Sequence, residues 1–197
     1  MGKNIIVYDI ETKYLFDEVG GRDNLRELGI SVLGSFDYKT GEYVIYEENQ
    51  LSAFEDRLKF KPVLVGFNSK KFDTPILQRY CTMSLSQLPQ VDIMEEMQKR
   101  LGHRVSLDSV AKATLHIGKS GSGLDAIKYY RSGEMDKLKK YCLDDVRITK
   151  EVFEYGAKHK ELLYTDKYNG SNRHCEVAWE IAHPSEREVD EAQGTLF

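Results

Sequence analysis

The sequence predicts a single α/β domain in which a mixed β-sheet is flanked by helices. Three observations lead to this fold class. A chain of 197 residues with 41% hydrophobic content is long enough to bury a full core. Short apolar runs bounded by turn-forming residues indicate strands, and segments with apolar residues at i+3 and i+4 spacing indicate helices. No apolar run is long enough to span a membrane, so we expect a soluble protein.

The predicted elements follow one another in a β-β-β-α-β-α-β-α order, with further helices after it. The strands are expected at residues 5–10, 30–38, 43–46, 63–67 and 91–94. The helices are expected at residues 52–58, 74–80, 95–101, 106–115, 124–130 and 134–159. Residues 39–42 contain Gly41 and read as the turn of a hairpin between the second and third strands.

The end of the chain is predicted to be organised differently. Strands at 162–168 and 175–181 flank a turn signal, Asn169-Gly170-Ser171-Asn172. We therefore divide the chain into a main domain over 1–160, a β-hairpin appendage over 161–183 and a flexible acidic tail over 184–197. For Trp179, the only tryptophan, we expect packing in the core or at an edge rather than stacking on a base.

Two carboxylates stand at the end of the first predicted strand. Asp9 and Glu11 follow the apolar residues 5–8, and alternation along a strand places both side chains on one face. Burying an unpaired carboxylate costs far more than the packing of one strand returns, so the pair needs a cation. The pair predicts a divalent metal site, with a solvated strand end or a stray ion site as the alternative.

Two later acidic residues are candidate partners of this pair. Asp73 ends a polar loop and stands at a predicted helix start, where helix N-capping is the alternative interpretation. Tyr141 and Asp145 are one turn apart on the buried stripe of the helix over 134–159, from which Asp144 points away. A buried hydrogen-bonded pair is the alternative there.

Together the three motifs, Asp9-x-Glu11, Asn68-x3-Phe72-Asp73 and Tyr141-x3-Asp145, resemble the DEDD superfamily of 3′–5′ exonucleases. The resemblance covers residues 3–155 and is to the subclass with Tyr in the third motif. The subclass with His is excluded because His would have to stand at Lys140. The resemblance implies an RNase H-like fold, with the site at the carboxyl ends of the strands.

The resemblance also implies two-metal hydrolysis of phosphodiester bonds at a single-stranded or frayed 3′ end, with DNA favoured over RNA. Asp9, Glu11, Asp73 and Asp145 would hold two Mg²⁺ or Mn²⁺ ions, and Tyr141 would orient the attacking water. Further substrate contacts are expected from Thr12, Asn68, Lys70, Phe72 and Lys119. An exoribonuclease, or a non-catalytic adaptor that binds DNA or the sliding clamp, are the alternatives.

The net charge of −4 is compatible with a nucleic-acid substrate. Residues 184–197 hold four acidic residues and Arg187, so residues 1–183 carry only −1. Basic residues gather near the three motifs and could track phosphates, although a solvated helix face is the commoner meaning of such a cluster.

Three cysteines, Cys81, Cys142 and Cys175, are odd in number and share no Cys-x2-Cys spacing. We therefore expect reduced thiols and a cytoplasmic location. No signal-peptide pattern follows Met1, which agrees with that expectation.

Two other motifs that handle phosphate groups are excluded by the residues at their defining positions. Residues 118–120 resemble the end of a P-loop, but Ala113 occupies the position of its first glycine. A phosphatase that forms an aspartyl-phosphate is excluded because Glu11 and Lys13 stand where its motif requires Asp and Thr.

Residues 193–197 carry a Gln-x-x-Leu-Phe pattern. With Gln193, Leu196 and Phe197, this pattern resembles the peptides that bind the bacterial sliding clamp, although Gly194 and Thr195 depart from their commonest form. The preceding residues, 184–192, are acidic and poor in apolar side chains, so Leu196 and Phe197 would otherwise be exposed without a purpose. A chance match in a frayed end is the alternative.

Overall fold

The protein is built around a five-stranded mixed sheet, seen in a computed structural model that describes residues 4–118 and 123–179. The strand order is β3-β2-β1-β4-β5. The strands are β1 (Ile5–Thr12), β2 (Ile30–Asp37), β3 (Glu42–Glu47), β4 (Val63–Gly66) and β5 (Gln90–Asp92). The first three pair antiparallel, whereas β4 runs parallel to both β1 and β5. The predicted fold class is confirmed.

Six α-helices cover the sheet within the described residues. They are α1 (Leu51–Leu58), α2 (Asp73–Leu77), α3 (Ile93–Leu101), α4 (Leu107–Leu115), α5 (Gly123–Arg131) and α6 (Met135–His159). Short 3-10 segments at Phe16–Val19, Arg22–Leu28, Glu48–Gln50, Gln78–Tyr80 and Leu85–Gln87 join them. No helix in these described ranges is long and apolar enough to cross a membrane.

Alternation along β1 divides the core into two layers. Ile6 and Tyr8 point into the cluster that contains Phe54 of α1 and Ile76 of α2. Val7, on the opposite face, belongs to the cluster that includes the inner side of α6. Because Asp9 and Glu11 are in phase with Val7, they lie on the α6 side of the sheet.

The long helix α6 lies close to the sheet because one strand position is a glycine. Gly34 of β2 is the register partner of Asp9 in β1. A methyl group at Gly34 would stand 3.0 Å from Sγ of Cys142 and 3.0 Å from Cγ2 of Val146, both in α6. The missing side chain therefore lets this part of α6 approach the strand beside Asp9.

Two predicted boundaries are corrected by pairing and capping. β1 continues two residues past Ile10, because Glu11 and Thr12 still pair with β2 across a register shift. The strand predicted over 91–94 ends at Asp92, whose carboxylate caps α3 by accepting the N–H of Glu95 at 3.1 Å. An N-cap residue stops one element and starts the next, so α3 begins at Ile93.

The predicted hairpin is present, but its strands are β6 (Glu161–Thr165) and β7 (Asn172–Glu176) rather than 162–168 and 175–181. The turn begins early because the carboxylate of Asp166 accepts the N–H of Tyr168 at 2.8 Å. Residues 180 and 181 lie outside the described residues. The inner face of the hairpin joins the main core, and Trp179 is buried there as expected.

Candidate active site

The carboxylates of Asp9 and Glu11 lie on one face of β1, as alternation predicts. One oxygen of each, together with Sγ of Cys142 in α6, forms a group in which all atoms are within 4.8 Å of one another. Glu11 is buried and Asp9 is partly exposed. The alternative of a solvated strand end is therefore wrong for Glu11.

Tyr141 and Asp145 reach the same place from α6. Both side chains are buried, 5% and 4% exposed, and the hydroxyl of Tyr141 is hydrogen-bonded to the carboxylate of Asp145. The alternative prediction of a buried hydrogen-bonded pair is thus fulfilled. The pair is not isolated, however, because the charges of Glu11 and Asp9 also act on Tyr141.

The electrostatics of these groups are consistent with a site built for cations. Burial, and then the charges of Asp145, Glu11 and Asp9, raise the pKa of the Tyr141 phenol far above its usual range. Burial and the same three carboxylates raise the pKa of the Cys142 thiol. Both groups therefore stay protonated at neutral pH and contribute no negative charge of their own.

Asp73 joins the cluster through the backbone of β1. Its Oδ1 accepts the N–H of Ile10 at 3.2 Å, and Ile10 stands between Asp9 and Glu11. Asp73 is the first residue of α2, whose N-cap position is Phe72 and has no side-chain capping bond. Asp73 is therefore not the N-cap residue of α2. The fold brings together the four predicted carboxylates and Tyr141, while their catalytic roles stay a prediction.

A comparison with family models adds an independent observation. The model described as RNase H superfamily matches residues 6–156, which is more than half of the chain. The chain belongs to the RNase H superfamily. Members of this superfamily are generally nucleases, which supports a nuclease-type hydrolase that acts on nucleic acid. A comparison with curated proteins finds no significant match.

In this RNase H superfamily domain, Asp92 is a structural residue that sequence reasoning missed. It is 1% exposed and accepts the N–H groups of Asn68 at 2.8 Å and Lys70 at 3.0 Å, besides capping α3. It thereby holds the loop that leads to Asp73. The Asp-x-x-Glu spacing of Asp92 and Glu95, which resembles a capping box, was the signal available in the sequence.

An open cleft of about 330 Å³ adjoins Glu11. Thr12 and Phe72, two of the predicted substrate contacts, line it. Its other walls include Tyr14, Phe16, Leu124 and Ile127, which sequence reasoning did not select. The rings of Phe16 and Phe72 meet edge to face with centroids 6.1 Å apart, giving the cleft an aromatic wall.

The remaining predicted residues have different surroundings. The side-chain oxygen of Asn68 accepts a hydrogen bond from Arg104 at 2.9 Å, and Asn68 adopts a left-handed φ of 65°. The ammonium of Lys70 pairs with Glu95 at 2.8 Å. Lys119 lies outside the described residues, as do Gln193, Leu196 and Phe197.

The donor set fits a hard divalent cation. Carboxylate oxygens predominate around Asp9 and Glu11, and oxygen ligands suit Mg²⁺ and Mn²⁺. The thiol of Cys142 is a soft ligand, which suits Mg²⁺ and Mn²⁺ less well than the carboxylate oxygens do. A cluster of carboxylates on buried elements is otherwise costly, which favours a bound cation.

Proposed function

We propose that the protein is a metal-dependent 3′–5′ exonuclease that hydrolyses phosphodiester bonds at nucleic-acid ends, with DNA as the favoured substrate. The observation that carries the proposal is the position of Tyr141. Its hydroxyl is bonded to Asp145 on α6 and experiences the charges of Glu11 and Asp9 on β1. Two motifs that are far apart in sequence thus meet around one phenol in an RNase H superfamily domain, and the third motif is joined to β1 by the hydrogen bond from the N–H of Ile10 to Asp73.

The proposal requires two divalent cations, Mg²⁺ or Mn²⁺. Asp9, Glu11 and Asp145 would hold one ion, and Asp9 and Asp73 the other. When bound, such ions lower the pKa of water and stabilise both the attacking and the leaving oxygen of a phosphodiester. The protein contributes the rigid placement of the ligands: β1 is the central strand, and Asp73 is bonded to its backbone.

Within this mechanism Tyr141 positions the attacking water and does not remove its proton. A phenol with a raised pKa is a poor base at neutral pH, and burial of the ring is the largest cause of that rise. The hydroxyl of Tyr141 can therefore bond to a water molecule that Glu11 also contacts, which fixes the direction of attack.

The lining of the cleft beside Glu11 suits the terminal nucleotide of a nucleic-acid strand. It combines the hydroxyl of Thr12 with the apolar walls of Phe16, Phe72 and Leu124. Aromatic and apolar surfaces accept bases of any sequence, because every base has a π-face. Asn68, Lys70 and Lys119 stay proposed contacts to the phosphates that follow.

DNA is favoured because the motifs resemble those of proofreading domains and because residues 193–197 resemble a clamp-binding peptide. We extend the proposal to that partner: Gln193, Leu196 and Phe197 would attach the enzyme to the bacterial sliding clamp. Tethering raises the effective concentration of a nuclease at a replicating or repaired end without changing its chemistry.

One gel experiment tests the activity. Single-stranded DNA, duplex DNA and RNA, each labelled at the 5′ end, are incubated with Mg²⁺ or Mn²⁺, and Asp9→Ala serves as the matched inactive control. We expect a ladder that shortens from the 3′ end, requires the metal and is absent with Asp9→Ala. Cleavage of RNA alone would support the exoribonuclease alternative. Binding without any cleavage would support the adaptor and overturn the proposal.

A further inference from the structure

A second pocket lies apart from the carboxylates, between the loop before α4 and the turn of the β6–β7 hairpin. Its volume is about 290 Å³, near the lower end of the range for ligand sites. One wall consists of His103, Arg104 and Ser106, and the other of Tyr164, Lys167 and Tyr168. Below it is called the hairpin pocket.

The charge of the hairpin pocket favours an anionic ligand. Arg104 and Lys167 contribute two cations. The acidic residue in its wall is Asp166, whose carboxylate is paired with Arg173 at 2.8 Å and accepts the N–H of Tyr168. These bonds lower the pKa of Asp166, and the bond from the N–H of Tyr168 makes the largest contribution. Arg173 thus balances the charge of Asp166, and Arg104 and Lys167 leave the pocket wall with a net positive charge that suits a phosphate.

Aromatic surface accompanies this charge. The ring of Tyr168 is 86% exposed at the tip of the hairpin, and the ammonium of Lys167 lies 4.9 Å from its centroid. Elsewhere in the pocket wall, the rings of His103 and Tyr164 meet edge to face, with their centroids 5.8 Å apart. An exposed aromatic next to cations is the combination that binds single-stranded nucleic acids by stacking and phosphate contacts.

The hairpin is held firmly against α4, so the pocket is preformed. The hydroxyl of Ser109 donates to the carbonyl of Thr165 and accepts its N–H, both at 3.0 Å. Thr114 does the same for Leu163, at 2.8 and 3.0 Å. Two α4 hydroxyls thus replace a neighbouring strand along the edge of β6, which fixes the turn that carries Lys167 and Tyr168.

One side chain connects the hairpin pocket with the active site. Arg104 lines the pocket and donates a hydrogen bond to Asn68 at 2.9 Å. Asn68 begins the loop that ends at Asp73, and its own N–H is held by Asp92. The pocket therefore adjoins the loop that presents one of the proposed metal ligands.

We propose that the hairpin pocket is a second nucleic-acid subsite, which holds an unpaired nucleotide of the strand whose 3′ end is at the carboxylates. A base stacks on Tyr168 while Arg104 and Lys167 hold its phosphate. The subsite rests on the proposed function for its direction along the strand. Its ligand class, single-stranded nucleic acid, follows from the aromatic and cationic walls alone.

The test is fluorescence anisotropy with labelled oligothymidylates of about 4 to about 16 nucleotides, the range of single-strand site sizes. EDTA in the buffer prevents cleavage. We expect affinity to increase sharply at the length that reaches the hairpin pocket. Tyr168→Ala should remove this increase, weakening long strands by about tenfold while leaving the shortest unchanged. Tyr168→Phe keeps the ring and should retain it.

Two further variants separate the contributions. Lys167→Ala should lower the slope of log affinity against log salt by about one, as expected for one lost phosphate contact. Phe60→Ala is the matched control, because Phe60 is 59% exposed with Lys39 and Arg57 over its ring. It precedes the N-terminal end of β4, opposite the end that leads to Asn68. The affinity of Phe60→Ala for the oligothymidylates should equal that of the wild type.

Equal binding by Tyr168→Ala and wild type at every length overturns the subsite, and so does an intact protein that binds no single strand. Tyr168-dependent binding without cleavage by the intact protein would retain the subsite and refute the exonuclease. Cleavage together with binding that does not depend on Tyr168 would retain the exonuclease and refute the subsite. The two proposals therefore fail separately.

Discussion

The carboxylate of Asp73 accepts the backbone N–H of Ile10 at 3.2 Å, so the start of α2 is bonded to the strand between Asp9 and Glu11. This bond gives Asp73 two roles that substitutions can separate. One is structural, because both partners are buried. The other is the proposed binding of a cation, which depends on the charge of the carboxylate.

Asp73→Asn should separate these roles, because an amide oxygen can still accept the N–H of Ile10 but carries no charge. We expect a melting temperature near that of the wild type and a loss of activity on the order of 100-fold or more. Asp73→Ala should also lose about 1–3 kcal/mol of stability, because the buried N–H is left unpaired. Thermal unfolding and steady-state kinetics measure both effects. Near-normal turnover by Asp73→Asn would refute its assignment as a ligand.

Tyr141→Phe keeps the buried ring and removes only the hydroxyl that is bonded to Asp145. If the hydroxyl positions water, kcat should fall about 10- to 100-fold, while the affinity for the oligonucleotide changes little. Single-turnover kinetics and anisotropy check the two quantities separately. A large loss of affinity with unchanged turnover would make Tyr141 a substrate-binding residue instead.

Gly156 of α6 supports the indole of Trp179. A methyl group at this position would overlap Cζ2 of the indole and stand 3.0 Å from Cη2, while Nε1 of Trp179 donates to the carbonyl of Phe153 at 3.0 Å. Gly156→Ala should therefore destabilise the protein by about 1–3 kcal/mol through overpacking, despite the better helix propensity of alanine.

The melting temperature of Gly156→Ala should fall by roughly 2–4 °C for each kcal/mol lost. Gly123→Ala is the control, because a methyl group there has no atom of residues 4–118 or 123–179 within 4 Å. It should leave the melting temperature unchanged or slightly higher. Equal stability of Gly156→Ala and wild type would mean that the indole does not rest on α6 in solution.

Glu55 of α1 holds the segment after α2. Its Oε1 accepts the N–H of Met83 at 3.0 Å and both the N–H and the hydroxyl of Thr82, at 2.6 and 2.8 Å. These bonds lower the pKa of the Glu55 carboxyl, and the bond from the N–H of Met83 makes the largest contribution. A lowered pKa contributes stability above the unfolded-state pKa of about 4.3, and this contribution is lost as the pH falls through the folded-state value.

Glu55→Gln should therefore be less stable than the wild type at pH 7, by less than about 1 kcal/mol, and the difference should disappear under acid conditions. Urea unfolding at several pH values measures it. Asp56→Asn is the control on the same helix, because Asp56 forms an exposed ion pair with Lys59. A difference for Glu55→Gln that does not change with pH would contradict the pKa assignment.

Deletion of residues 193–197 tests the clamp proposal. The short peptide carries no proposed catalytic residue, so cleavage of short oligonucleotides should be unchanged while binding to a bacterial sliding clamp is lost. Calorimetric titration of the clamp with the intact and the shortened protein measures this. If the intact protein does not bind the clamp at about 10–100 μM, the clamp hypothesis is refuted.

Local patterns determined much of the fold. The alternation of residues 5–11 placed Asp9 and Glu11 on one face, and the spacing of residues 138–153 placed Tyr141 and Asp145 on one stripe. Gly41 indicated the turn between β2 and β3, where its φ is 76°. Such features depend on the conformation of a few consecutive residues, so periodicity and turn chemistry are enough to predict them.

Only the tertiary structure decided which of these faces meet. Gly34 admits α6 to the strand beside Asp9, Asp73 is bonded to Ile10, and Asp92 holds the loop between β4 and α2. The early turn at Asp166 and the contact of Arg104 with Asn68 also escaped prediction. Most of these contacts depend on side chains that packing brings together, and the turn at Asp166 depends on a local hydrogen bond that competes with strand pairing. Neither kind of contact produces a periodic pattern in the sequence.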